Sequence, residues 1–88
     1  MAQRLEMYFG VDSIGECLKL ELPSQVRLSD GVFQFVGVRV DKEQVEGVDL
    51  LQVVVDYPRI VRSKITSVAQ NFLQRMQAHG GGESSHIV

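Results

Sequence analysis

Tyr57-Pro58-Arg59-Ile60-Val61-Arg62-Ser63-Lys64-Ile65-Thr66-Ser67-Val68-Ala69-Gln70-Asn71-Phe72-Leu73-Gln74-Arg75-Met76-Gln77-Ala78-His79-Gly80 is the stretch that decides the fold of this 88-residue chain. Apolar side chains recur at Val61, Ile65, Val68, Phe72 and Met76, with Ile60, Ala69 and Leu73 widening the stripe. Steps of three and four place them on one side of an α-helix. Pro58 suits the first helical turn, where its missing N–H costs nothing. His79 falls in the last turn and Gly80 supplies a left-handed stop. The spacing predicts a helix from about 58 to 78, roughly 30 Å long at 1.5 Å per residue. That exceeds what a short strand needs for cover, so its C-terminal half is expected to overhang and meet a partner helix.

Upstream of Pro58 the hydrophobic period is two. Leu5, Met7 and Phe9 alternate with Glu6 and Tyr8, and Leu18, Leu20 and Leu22 alternate with Lys19 and Glu21 before Pro23 ends the run. Ser29-Asp30-Gly31-Val32 reads as a tight hairpin centred on Asp-Gly, with positive φ at both central residues. Between Val32 and Val40 the apolar phase switches from Phe33 and Phe35 to Val36, Val38 and Val40, and a bulge near Phe35–Gly37 would restore one face. Asp41 to Gly47 reads as a solvated loop. Val48 to Val55 is apolar on both sides, as is Val32 to Val40 in the alternative reading, which leaves a second sheet face needing cover.

The expected fold is therefore α+β: an antiparallel β-meander of four to five strands (about 4–9, 16–22, 25–29, 32–40 and 48–56) with one long C-terminal α-helix packed on one sheet face. Residues 1–79 form a single domain and 80–88 a flexible Gly/Ser-rich tail. The expected core is Leu18, Leu20, Leu22, Phe33, Val36, Val38, Leu51, Val53, Val55, Val61, Ile65, Val68 and Phe72.

Charge is segregated along the chain. Residues 1–56 carry five basic and ten acidic side chains, whereas the predicted helix carries Arg59, Arg62, Lys64 and Arg75 and no acid. Asp41, Glu43, Glu46 and Asp49 cluster around Gly47. These two sets are the candidate partner-binding residues, the acidic one as a docking patch and the basic one as a site for phosphates or an acidic surface, including that of a second copy. A net charge of −2 speaks against strong non-specific nucleic-acid binding.

No motif names a reaction. Gly10 and Gly15 have the glycine spacing of a phosphate-binding loop, but Glu16-Cys17 stands where lysine and serine or threonine are needed. His79-Gly80-Gly81-Gly82 has the look of an oxyanion-hole stretch without any Gly-x-Ser-x-Gly elbow. His79, Glu83 and His86 lie on a glycine-rich segment that would lose much entropy in binding a metal. Cys17 is far in sequence from both histidines and reads as a small buried hydrophobe. No catalytic residue, cofactor or metal is expected. A single cysteine, no apolar run of membrane-spanning length and early charges at Arg4 and Glu6 make a cytoplasmic, non-membrane protein the expectation. The functional expectation is a small non-enzymatic protein-interaction module, an adaptor, chaperone-like subunit, inhibitor or regulator, acting as a homodimer. The alternative is a nucleic-acid-binding regulator using the basic helix face.

Overall fold

The computed structural model describes residues 2–80 in full and 82–87 as backbone. It is α+β. Four strands, β1 (Ala2–Gly10), β4 (Gly37–Val45), β5 (Val48–Pro58) and β6 (Gly82–Ile87), form one antiparallel sheet in the order β4-β5-β1-β6. A separate two-stranded ribbon joins β2 (Gln25–Leu28) to β3 (Gly31–Gln34). The helical elements are α1 (Ile14–Cys17), a 3-10 segment (Arg59–Lys64) and α2 (Ile65–Gln77). No helix among the described residues is long and apolar enough to cross a membrane.

The period-two pattern of β1 and β5 builds the core. Leu5 lies opposite Val55, Met7 opposite Val53 and Phe9 opposite Leu51, so all six share one face and all are buried. Tyr57 extends that row, and Val61, Ile65, Val68, Phe72 and Met76 close over it from the helical side. Leu5, Met7, Phe9, Cys17, Val26, Phe35, Tyr57 and Met76 thus join the core beyond the set expected from sequence.

Several expectations need correction. The sheet is not a meander, because β1 lies between β5 and β6. Residues 16–22 form no strand: Ser13 accepts from the Glu16 N–H at 3.4 Å to cap α1, and irregular backbone follows to Ser24. Alternation tells which side of a segment faces the core but provides no neighbouring strand. Leu20 and Leu22 reach the core from that irregular backbone, while Leu18 is exposed.

The span 32–40 is two strands rather than one. The Phe35 N–H donates to the Ser24 carbonyl at 2.8 Å, on the ribbon side, and the next N–H, of Val36, donates to Asp56 on β5 at 2.7 Å. Val36 and Gly37 both meet Asp56, and there the chain passes from ribbon to sheet; the bulge expected near Phe35–Gly37 to restore one apolar face within a single strand is replaced by this change of sheet. Val36 is left 68% exposed instead of in the core.

The two hairpins exchange roles. Ser29 and Asp30 lie between the Leu28–Gly31 pair, and neither has positive φ. The turn with two positive φ values is Glu46-Gly47, at 51° and 81°, closing the Val45–Val48 pair. Asp41 to Val45 is therefore strand, not loop.

The long helix is also shorter than its pattern. Pro58 is extended (φ −64°, ψ 147°), and no side chain among the described residues caps the segment after it. Arg59–Lys64 winds as 3-10, leaving Ile60 84% exposed, and α2 proper has 13 residues, about 20 Å. Three cations near an uncapped N-terminus oppose the helix dipole, which disfavours an α-helix there. The apolar side chains of α2 at 65, 68, 72 and 76 are all buried, so no half of the helix overhangs.

Within the segment expected as a flexible tail, Gly82–Ile87 has the backbone of a strand. Gly80 takes φ 80°, and the backbone of Gly82–Ile87 runs antiparallel to β1 from Gly10–Gly82 to Leu5–Ile87.

Candidate functional site

The two candidate charge clusters lie at opposite ends of β5. Arg59, Arg62 and Lys64 follow its last residue, Pro58, while Glu46 precedes its first, Val48. Eleven residues of strand separate the two by about 30 Å, in a molecule whose longest dimension is 36 Å. The acidic and basic sets do not form one site.

The basic residues do not share one face. Arg59 is exposed at the start of the 3-10 segment. Arg62 donates Nη1 to Gln3 Oε1 at 3.0 Å. Lys64 pairs with Asp30 at the β2–β3 turn and holds that carboxyl below its ordinary range, chiefly by hydrogen bonding to it. Arg75, in the last turn of α2, donates Nε to Asn71 Oδ1 at 3.1 Å. Three of the four cations thus make contacts within the chain.

The acidic residues stay on one hairpin, although Asp49 lies on the face opposite to Asp41 and Glu43. Every residue from Asp41 to Asp49 is exposed, including Val45 at 43% and Val48 at 58%. Asp41 and Glu43 point to the sheet face away from the helices, Glu46 sits in the turn, and Asp49 accepts from Gln44 Nε2 at 3.5 Å. Arg39 lies 3.9 Å from Asp41 on the same face.

That outer sheet face is polar, contrary to the expectation that strands apolar on both sides would leave it apolar. Gln52 Nε2 donates to Tyr8 Oη at 3.0 Å and to Glu6 Oε2 at 3.3 Å, and Tyr8 Oη donates to the same carboxylate at 3.2 Å. Arg4 Nε pairs with Asp56 Oδ1 at 2.9 Å beside them. Val54, between Gln52 and Asp56, is 2% exposed although it lies on the face opposite the core. The polar members of β1 form this network with β5. Their alternation was legible; the cross-strand register that joins them was not.

The structure brings together two residues that the sequence kept far apart. The Asp12 N–H donates to the His79 carbonyl at 3.1 Å, and a cleft of about 220 Å³ is lined by Asp12, Ser13, Glu16, Cys17, Ala78 and His79. Gly80 fits here because a Cβ on it would run into the Asp12 carboxylate. Burial pushes the Cys17 thiol up, and the charges of Glu16 and Asp12 push it further. A thiol held protonated in this way is a weak nucleophile and metal ligand. No three His, Cys, Asp or Glu side chains among the described residues are spaced to hold a metal ion. The side chains of Glu83 and His86, weighed with His79 as ligands, lie outside the described residues.

Comparison of the chain with protein-family models, with curated proteins and with solved structures finds no match in any of the three.

Proposed function

We propose that this chain is a small non-catalytic protein-interaction module that works as a homodimer. The observation that carries the reading is the β4–β5 hairpin, exposed without interruption from Asp41 to Asp49 and presenting two valines among four carboxylates. An exposed apolar pair rimmed by charge is a feature of protein-docking surfaces. The same carboxylates repel a phosphate backbone, and Arg62, Lys64 and Arg75 already hold contacts within the chain. Both features favour a protein partner over nucleic acid. The acid-flanked, buried thiol supports a role other than covalent catalysis.

Light scattering across concentration tests the reading. The expected result is a mass twice the 9.8 kDa of one chain at micromolar concentration. A mass of one chain up to about 1 mM, where association would be worth only ~4 kcal/mol, sinks the homodimer.

A further inference from the structure

We propose that β4 pairs antiparallel with β4 of a second copy, with Val40 opposite Val40, so that the two sheets become one. The proposal rests on the homodimer reading and places its contact along the β4 edge, next to the hairpin tip that carries Val45 and Val48.

β4 is the outermost strand on its side of the sheet, nine residues long, with no proline and a continuous register against β5 from Gly37 to Val45. Such an edge offers a row of unpaired N–H and C=O groups to another strand. The hairpin determines which groups these are. A two-residue turn closes a hydrogen-bonded pair, here Val45–Val48, and antiparallel pairs alternate from there. Gly37, Arg39, Asp41 and Glu43 therefore bond to β5, while Val38, Val40, Lys42 and Gln44 direct their backbone groups outward. Outward residues of one copy meet outward residues of the other, so that Val38, Val40 and Lys42 can bond to Lys42, Val40 and Val38 of a copy.

Charge then selects among the registers that this alternation allows. Pairing Asp41 with Asp41 sets carboxylates opposite each other, pairing Lys42 with Lys42 also sets Asp41 against Glu43, and pairing Arg39 with Arg39 opposes two guanidiniums. Like charges directly opposite are destabilising. Pairing Val40 with Val40 sets Arg39 opposite Asp41 on both sides of the two-fold axis. It also places the two valines together on the helix-bearing face and Glu43 opposite Gly37. Registers centred on Val38 or Gln44 oppose no like charges either, but they set Arg39 opposite Gly37 or Glu43 opposite Val45 and leave Arg39 and Asp41 apart. Charges on an edge ordinarily ward off a second strand; the order Arg39-Val40-Asp41 sets these two opposite each other on both sides of the axis when Val40 is at its centre. The 3.9 Å approach of Arg39 to Asp41 within one strand becomes one side of an alternating four-charge square.

Sedimentation equilibrium on the full chain and three variants tests this. Val40→Pro removes an outward N–H at a position where an edge strand tolerates proline, and the expected result is loss of the dimer with an unchanged far-UV spectrum. Arg39→Asp is expected to raise the dimer dissociation constant by roughly tenfold or more. The double variant Arg39→Asp/Asp41→Arg, which rebuilds the square with its signs exchanged, is expected to restore it. A wild-type dimer whose dissociation constant is unmoved by Val40→Pro and Arg39→Asp overturns this interface and leaves the homodimer reading standing. A wild-type monomer throughout overturns both.

Discussion

Phe35 meets Phe72 with ring centroids 5.9 Å apart and planes inclined at 40°, linking the bend between β3 and β4 to the middle of α2. One contact thereby ties the ribbon, the sheet entry and the helix to a common point. Phe72 is fully buried, so Phe72→Ala is expected to cost about 3–5 kcal/mol. A domain of this size is stabilised by roughly 5–10 kcal/mol. Urea unfolding should show a large drop in midpoint, and a cost below ~1 kcal/mol would mean that the helix does not seat on this ring.

Tyr57 is fully buried, and its hydroxyl has no hydrogen-bond partner among the described residues. A buried donor left unpaired costs about 1–3 kcal/mol. Tyr57→Phe keeps the ring and removes the orphan, so it is expected to be neutral or to raise stability by up to ~2 kcal/mol. Thermal unfolding checks the sign; a clear loss would reveal a partner for that hydroxyl.

Glu46 holds φ 51° at the first position of the β4–β5 turn, ahead of Gly47 at 81°. Asn-Gly is the preferred occupant of such a turn because asparagine tolerates the left-handed region. Glu46→Asn is expected to stabilise the protein by about 0.5–1 kcal/mol. Hydrogen exchange at the β4 and β5 amides should slow with it, and no change at those amides would count against the turn geometry.

The Lys64–Asp30 pair gives stability a dependence on acid. Asp30 titrates below its ordinary value of 3.8 in the folded chain. A carboxyl depressed in this way adds stability above its unfolded pKa and loses it as pH falls through the folded one. Lys64→Met is expected to raise the Asp30 pKa and to shrink the loss of stability as pH falls below the ordinary carboxyl value of 3.8. NMR titration of Asp30 reads this directly, and an unshifted carboxyl in the wild type would remove the basis for it. Both partners are substantially exposed, so the effect is expected to fade in high salt.

Period and composition were enough to read the α+β class, the strands at β1 and β5 and the buried stripe of α2, because burial on one face imposes a regular spacing. What they did not yield were properties of pairing. The run Leu18–Leu22 alternates as well as Leu5–Phe9 does, yet only the second has neighbours on both sides. Pro58 and Gly80 marked the ends of the helical region, but the cations at 59, 62 and 64 and the lack of a cap turned its first third into 3-10. For the candidate site, the acidic cluster was legible as a group because its members are contiguous. The outer-face network of Glu6, Tyr8 and Gln52 depends on register across 46 residues. The meeting of Asp12, Cys17 and His79 depends on where α2 ends above α1.

The place of β1 in the sheet sets an order for the chain's birth. Leu5 and Val55 are partners fifty positions apart. At ribosomal speed, the first strand emerges roughly 3–10 s before the strand it pairs with. During that interval Leu5, Met7 and Phe9 have no sheet to enter; the β2–β3 ribbon closes within itself, and the β4–β5 hairpin closes as soon as β5 has emerged. The hairpins are thus the early, local structure, and β1 is the late insertion that completes the core. A nascent chain stalled before Val48 therefore presents an orphan apolar strand, the state in which this protein is most in need of a chaperone's protection.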